Sequence, residues 1–127
     1  MDKVVHFEIP VDDPERAKAF YGSVFGWGVQ TLPEMDYTIA MTTAVDETTQ
    51  MPLEPGAING GLMGRSDKTP APVITIQVDA IDEALKRIEA EGGGTVQPRT
   101  EIPGMGAFAY FTDSEGNVVG LWETVER

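Results

Sequence analysis

The single histidine of the chain, His6, is the first residue whose type could do acid–base chemistry. Glu8 follows two positions later, so on a β-strand both side chains would share one face. An imidazole beside a carboxylate can be tuned toward neutral pH and can act as a general acid–base pair. Two other interpretations stay open: His6 is satisfied by a hydrogen bond, and Glu8 is a solvated carboxylate or the partner of an arginine such as Arg99.

Other kinds of catalytic site have little support in this sequence. The chain has no cysteine, which excludes disulfides, thiolate metal sites, iron–sulfur clusters and a cysteine nucleophile. None of its serines lies in a nucleophile-elbow motif. The glycine pairs and runs at residues 60–61 and 92–94 lack the strand–glycine–helix order of a phosphate-binding loop.

Length and charge limit the partners of the protein. A chain of 127 residues with 41% apolar and 24% charged residues is typical of one globular domain. The net charge of −12 repels phosphate backbones and anionic lipids, so we expect neither a nucleic acid nor a membrane as partner. The opening residues MDKVVHFEIP are too polar for a signal peptide, and we expect a cytoplasmic protein.

The elements that must position His6 and Glu8 occur twice. Residues 5–12 lie over residues 72–79, and in both copies alternate positions are apolar, as in a strand with one buried face. A helix follows each copy, and Asp13 and Pro14 provide the capping and first residues of the first helix. The apolar residues expected to be buried are Phe7, Ile9, Val11, Ala17, Phe20, Tyr21, Val24 and Phe25 in the first copy, and Ile74, Ile76, Val78, Ile81, Ala84, Leu85 and Ile88 in the second.

Three short strand-like runs follow each helix, so the predicted order is strand, helix and three strands, twice over. This order predicts an α+β fold of two βαβββ modules, residues 1–66 and residues 67–127. Residues 46–55 form a polar insertion that is typical of a lid or a mobile loop. Residues 113–117 have the composition of a tight hairpin loop.

Two segments of the chain resemble the vicinal oxygen chelate superfamily: HFEIPVDDPERAKAFYGSVFGW near the start and GMGAFAYFTDSEGNVVGLWE near the end. That superfamily includes glyoxalase I, bleomycin- and fosfomycin-resistance proteins and extradiol dioxygenases. The resemblance implies a single domain over residues 1–127 in which two βαβββ modules form a curled, cup-like mixed sheet. It also implies a ligand or metal site in the concave face, and a homodimer.

The resemblance implies metal ligands at four positions, and this chain matches only one of them. His6 corresponds to the first ligand, whereas Val73 and Gly120, at two of the others, have no donor atom. In residues 57–61, where the remaining ligand would lie, Asn59 is the only donor. Glu8, or Glu101 or Glu123, would have to complete a shared site. A single imidazole falls short of the three or four ligands that zinc-like ions need, so we expect no stoichiometric metal, although a divalent ion stays possible.

The residues predicted to form the site lie on strand faces opposite the helices or close to those faces. We predict His6 and Glu8 as catalytic candidates, and as ligand contacts Thr75, Gln77, Trp122, Asn59 and Met105. The predicted function is that of a glyoxalase/bleomycin-resistance-like protein that binds a small organic molecule without a stoichiometric metal. The alternative is a metal-dependent lyase, isomerase or dioxygenase-like enzyme that uses His6 with Glu8.

Overall fold

The computed structural model of this chain describes residues 1–32 and 37–124. Over these residues the order βαβββ occurs twice, with parallel and antiparallel strand pairs, and the predicted α+β fold is confirmed. The elements are β1 Lys3–Val11, α1 Pro14–Phe25, β2 Gly28–Leu32, β3 Tyr37–Met41, β4 Gly60–Gly64, β5 Val73–Gln77, α2 Ile81–Ala90, β6 Gly94–Ile102, β7 Gly106–Thr112 and β8 Val118–Thr124.

The chain divides into two compact units. One unit is His6–Pro72, and the other is Met1–Val5 together with the chain from Val73 onward. The module limits 1–66 and 67–127 stay predictions. Among the described residues, neither helix has the length and the apolar character that crossing a membrane would require, and the cytoplasmic location also stays a prediction.

In the unit His6–Pro72 the strands pair in the order β2-β3-β4-β1, with β4 parallel to β1. Helix α1 begins as predicted, because the Asp13 carboxylate accepts a hydrogen bond from the Arg16 amide at 3.1 Å. It ends at Gly26, whose φ of 74° is the left-handed conformation that glycine adopts readily. The core of this unit consists of Val11, Ala40 and Leu62, with Phe7, Ile9, Ala17, Tyr21, Trp27 and Val29 packed against them.

The apolar stripe of α1 is less buried than the sequence predicts. Ala17 and Tyr21 pack on the core as expected, but Phe20, Val24 and Phe25 are 54, 58 and 59% exposed. Trp27 stacks on Tyr21 with ring centroids 4.8 Å apart, so an aromatic ring from beyond the helix occupies part of the space beside it. The prediction that these three residues pack on the sheet is therefore wrong.

In the other unit the strands pair in the order β5-β8-β7-β6, with β5 parallel to β8. Helix α2 packs Ile81, Ala84 and Leu85 onto a core from β7 and β8. Ile76 and Val78 face this core as predicted, but Ile74, on the same face at the start of β5, lies outside the core and is 51% exposed. The predicted burial of Ile74 is wrong. The core members are Val78, Ile81, Ala84, Leu85, Ala107, Ala109, Phe111, Val119 and Leu121.

The connection between β7 and β8 is the hairpin loop that the sequence predicts. The Asp113 amide donates to the Asn117 carbonyl at 3.0 Å, and the Asp113 carboxylate accepts from the amides of Glu115 and Asn117. Gly116 has a φ of 82°, which residues with a side chain rarely adopt.

Candidate functional site

His6 and Glu8 lie on the face of β1 that turns away from α1. Phe7 and Ile9 pack on the core beside α1, and because side chains alternate along a strand, His6 and Glu8 point to the opposite side. There the His6 Nε2 atom lies 3.0 Å from the hydroxyl of Tyr37, the first residue of β3. The imidazole is partly buried and hydrogen-bonded, as one of the two interpretations of a lone histidine expects.

Tyr37 joins His6 to Glu8. Its hydroxyl also forms a hydrogen bond with the Glu8 side chain, so one phenol oxygen contacts both predicted catalytic residues. Its ring lies directly over Gly61, which pairs with Glu8 in the β1–β4 ladder. A Cβ atom on Gly61 would occupy the same space as the phenol, so the close approach of Tyr37 requires glycine there. His6, Tyr37 and Glu8 are called the polar cluster below.

Burial and charge fix the protonation of two groups in the polar cluster. Burial raises the pKa of Tyr37, and the negative charge of Glu8 and its hydrogen bond raise it further, so the phenol stays protonated. Burial lowers the pKa of His6 below 6.5, against the opposing effect of a hydrogen bond from the ring to the main-chain carbonyl of Asn59. The imidazole is therefore neutral at pH 7.

The polar cluster combines groups that accept and groups that donate hydrogen bonds. The roles of the two His6 ring nitrogens depend on the tautomer, so the Tyr37 hydroxyl can donate to Nε2 or accept a hydrogen bond from it. The Glu8 side chain accepts hydrogen bonds, and the Tyr37 hydroxyl can donate to it.

The donors beside His6 do not match the ligand set of a metal site. Tyr37 is a protonated phenol that already bonds Nε2, and Gly61, in register with Glu8, offers no donor. Within residues 1–32 and 37–124, no three histidine, aspartate or glutamate side chains come together in a group that could hold a metal ion. One imidazole and one carboxylate are fewer than the protein ligands of typical zinc sites.

Glu123 and Arg99, two other residues that the sequence analysis weighed, bond each other. Arg99 Nη2 lies 2.8 Å from Glu123 Oε2, and Arg99 Nη1 lies 4.0 Å from Glu101 Oε2. The other carboxylate oxygen of Glu123 accepts a hydrogen bond from the Ile81 amide at 2.8 Å. One Glu123 oxygen therefore bonds Arg99 of β6, and the other bonds the main chain at the start of α2.

Asn59, a predicted ligand contact, uses its side chain inside the protein. Its amide oxygen accepts hydrogen bonds from the main-chain N–H groups of Thr42 at 2.7 Å and Thr43 at 3.0 Å. Its amide nitrogen donates to the Thr43 carbonyl at 3.1 Å. A ligand contact by this side chain would have to share or replace these three bonds.

The remaining predicted ligand contacts belong to the unit that contains β5 to β8. Thr75 is buried with its hydroxyl against Gly120, while Gln77 is exposed and pairs in register with Trp122. Trp122 is partly buried beside Gly106, and Met105 is half exposed in the turn before β7. Their roles toward a ligand stay predictions.

Sequence reasoning missed three aromatic residues on these faces: Tyr37, Phe108 and Tyr110. Phe108 pairs with Trp122 across β7 and β8, and its ring contacts Tyr110 at 5.8 Å between centroids. The alternation along β7, with Ala107, Ala109 and Phe111 in the core, could have found the last two. No local pattern signals that Tyr37 reaches His6.

A separate cleft of about 300 Å³ lies on the α1 side of β1. Residues 9–13 and Arg65 line it, together with Arg16, Ala17, Phe20 and Tyr21 from α1. None of the predicted site residues takes part, because His6 and Glu8 face the other way. Arg65 narrows the cleft by bonding the Asp12 carboxylate at 3.0 Å and the Pro70 carbonyl at 2.6 Å.

Part of this chain is similar to a known protein family. Residues 3–43, which span β1 to β3, match the family described as bleomycin resistance protein-like N-terminal. Two mycobacterial proteins named as candidate glyoxylases (CFP32), from Mycobacterium bovis and Mycobacterium tuberculosis, are 29% identical over 120 residues. The match covers 91% of this chain but 43% of those relatives, so the chain spans less than half of their length.

Solved structures show the same fold across nearly the whole chain. A hypothetical protein from Bacillus halodurans, BH1468, is 18% identical and aligns over 99% of this chain and 96% of its own, with a TM-score of 0.64. Methylmalonyl-CoA epimerase from Mycobacterium tuberculosis is 15% identical over 97% of this chain and 88% of its own, with a TM-score of 0.60. These matches support the resemblance of the chain to the vicinal oxygen chelate superfamily.

The resemblance in the two sequence segments agrees with the family model, the curated relatives and the shared fold. At 15 to 18% identity the solved structures establish the fold of this member and leave its chemistry to its own residues. Those residues centre on the phenol of Tyr37.

Proposed function

We propose that this chain is a glyoxalase/bleomycin-resistance-like protein that binds a small organic molecule at the polar cluster without a stoichiometric metal. One observation carries the proposal: the Tyr37 hydroxyl bonds both His6 and Glu8. This contact engages the imidazole nitrogen that a metal would need. It also places an imidazole, a phenol and a carboxylate side by side, and these groups can form hydrogen bonds with a ligand.

The charge of the chain favours one class of ligand. The imidazole and the carboxylate of the polar cluster can accept hydrogen bonds, and the net charge of −12 repels anions. A neutral or cationic molecule with an N–H or O–H donor fits both conditions. Within the other unit, Trp122 with Phe108 beside it forms an aromatic surface, which supports Thr75, Gln77, Trp122 and Met105 as proposed ligand contacts of that unit.

A paired compound screen tests this ligand class. Differential scanning fluorimetry would compare aromatic amines and amides with the matched aromatic carboxylates, because a bound molecule raises the unfolding temperature. We expect shifts with the amines and amides only, and smaller shifts in the Tyr37→Phe variant. Equal shifts with the carboxylates, or no shift with any compound, would show the proposed ligand class to be wrong.

A metal measurement tests the other half of the proposal. After incubation with Mn²⁺, Fe²⁺, Ni²⁺ or Zn²⁺ and dialysis, elemental analysis should find far less than one ion per chain. About one ion per chain that is lost in the His6→Ala variant would contradict a metal-free site.

A second candidate function is supported because His6 and Glu8 both bond the Tyr37 hydroxyl and therefore lie close together. A metal-dependent lyase, isomerase or dioxygenase-like enzyme would use this imidazole and carboxylate together, with further ligands from the substrate or solvent. The CFP32 relatives, named as candidate glyoxylases, support this class. The same elemental analysis distinguishes the two functions.

We also propose that the protein is a homodimer. The exposed apolar side chains of Phe20, Val24 and Phe25 on α1 support this proposal, because contiguous exposed apolar surface commonly marks an interaction site.

A further inference from the structure

The segment between β3 and β4 is an ordered hairpin whose two ends meet at Asn59. Val45 pairs with Pro52, and the Leu53 amide donates to the Ala44 carbonyl at 2.9 Å. The Asp46 carboxylate accepts from the amides of Thr48 and Thr49, both at 2.9 Å. These bonds give residues 44–53 a defined shape, so a displacement of the hairpin would be transmitted to its ends.

The Asn59 side chain joins the two ends of the hairpin. It bonds main-chain groups of Thr42 and Thr43 that a neighbouring strand would otherwise bond. The β3–β4 ladder stops at the pair Ala40 and Gly60, so the main-chain groups of Thr42 and Thr43 have no partner in it. The Asn59 side chain satisfies three of these groups at 2.7 to 3.1 Å. The Thr42 hydroxyl adds a bond to the Ile58 carbonyl at 2.5 Å.

The main chain of the same residue holds the imidazole of His6. The ring of His6 forms a hydrogen bond with the main-chain carbonyl of Asn59, and its Nε2 atom lies 3.0 Å from the Tyr37 hydroxyl. In a neutral histidine, the partner of one nitrogen decides which nitrogen keeps the proton. Donation from Nδ1 to the Asn59 carbonyl would leave an unprotonated Nε2 directed toward the polar cluster.

We propose that Asn59 is a positioning residue, whose side chain clamps the 44–53 hairpin and thereby holds its own carbonyl where it fixes the tautomer and orientation of His6. Loss of the clamp would let the peptide of Asn59 rotate, and the proton on the imidazole would then distribute between both nitrogens. This role deepens the proposed function, since His6 is a binding group there, but it concerns the protein without a ligand.

Nitrogen-15 NMR of the ligand-free protein tests the proposal directly, because His6 is the only histidine. At a pH well above the His6 pKa, the wild-type protein should show the Nδ1–H tautomer. The Asn59→Ala variant keeps the main-chain carbonyl and removes only the clamp. We expect it to show a mixture of tautomers, together with about tenfold faster hydrogen exchange of the Thr43 amide.

Asn117→Ala is the matched control, because Asn117 also bonds neighbouring groups of a hairpin, at the Asp113 carboxylate. This control should leave the His6 signals unchanged. If Asn59→Ala folds poorly, Asn59→Asp serves instead, since it keeps the acceptor for the Thr42 and Thr43 amides and removes the donor to the Thr43 carbonyl.

Wild-type tautomer signals in an Asn59 variant whose Thr43 amide exchanges faster would overturn the proposal, because Asn59 would then brace the hairpin alone. An Nε2–H tautomer in the wild-type protein would also overturn it. Neither result depends on whether any compound binds, so the proposed function can fail while this inference stands.

Discussion

Tyr37 determines the chemistry of the polar cluster because one hydroxyl proton lies between two acceptors, the His6 ring and the Glu8 carboxylate. The phenol can donate to either acceptor, and a proton that arrives at one of them reverses the direction of a hydrogen bond. Acid–base capacity at this site therefore belongs to three residues together. His6 and Glu8, the pair that the sequence suggests, are joined through a third side chain.

A first prediction concerns the contact between Tyr37 and Gly61. In the Gly61→Ala variant the new methyl group would overlap the phenol and push it away from His6. We expect the free energy of unfolding, measured by urea denaturation, to fall by about 1 to 3 kcal/mol. The His6 NMR signals should shift as well.

Gly64→Ala is the control for that measurement, because Gly64 is at the end of the same strand and a Cβ there meets nothing within 4 Å. Its effect on stability should be below about 0.5 kcal/mol. Equal losses in both variants would show that Tyr37 does not need the space above Gly61.

A second prediction concerns the pH dependence that His6 contributes. Burial lowers the pKa of His6 in the folded protein below its unfolded value of 6.5, so the unfolded chain binds the proton first as the pH falls. The contribution of His6 to stability is therefore complete above pH 6.5 and is lost as the pH falls from 6.5 to the folded pKa.

Urea denaturation of the wild-type protein and the His6→Gln variant, from pH 4.5 to 8, measures this contribution. The difference in unfolding free energy between the two proteins should rise with pH up to about 6.5 and then stay constant. A difference that falls with rising pH would mean that the folded protein favours the charged imidazole.

At the scale of elements, the start of α2 depends on a residue from β8. Ala80, at the N-cap of α2, has no side chain that can cap the helix, and the Ile81 amide donates to Glu123 instead. The hydrogen bond from Arg99 lowers the pKa of Glu123, and the bond from Ile81 lowers it further. This stabilisation is present above the unfolded pKa of 4.5 and is lost as the pH falls through the folded value.

A third prediction follows from that cap. The Glu123→Ala variant should lose about 1 to 2 kcal/mol of unfolding free energy at pH 7, as helix-cap removals do. Glu101→Ala is the comparison, because Glu101 is 69% exposed and lies 4.0 Å from the same arginine. Its loss should stay below about 0.5 kcal/mol. Chemical denaturation measures both, and similar losses would mean that the contact with α2 contributes nothing.

Local patterns predicted the elements well and their contacts less well. Asp13 and Gly26 mark the ends of α1 through side-chain and backbone preferences that act within one turn, so the sequence contains that information. Burial of Phe20 and Phe25 depends on how much of the helix meets the sheet, which no spacing within α1 specifies. The meeting of Tyr37 with His6 depends on strand pairing over 31 residues, and for this reason the site was only half predicted.

At the scale of the whole molecule, apolar surface and charge oppose each other in self-association. Each chain has a net charge of −12, so two copies repel over the Debye length, about 10 Å at 0.1 M salt. Phe20, Val24 and Phe25 are exposed on α1, and burying one such side chain contributes roughly 1.5 to 3 kcal/mol. The proposed homodimer should therefore tighten as salt screens the charge.

A fourth prediction tests the homodimer and the surface that forms it. Light scattering after size exclusion should give twice 13.7 kDa for the wild-type protein, with a larger dimer fraction at 0.5 M than at 0.05 M salt. Phe25→Ser should raise the dissociation constant of the dimer by roughly tenfold or more, because it removes a phenyl ring that the dimer would bury. Ile74→Ser, at another exposed apolar residue, should not change the mass.

A mass of 13.7 kDa for the wild-type protein at both salt concentrations would contradict the dimer. Dissociation by Ile74→Ser alone would place the dimer interface away from α1.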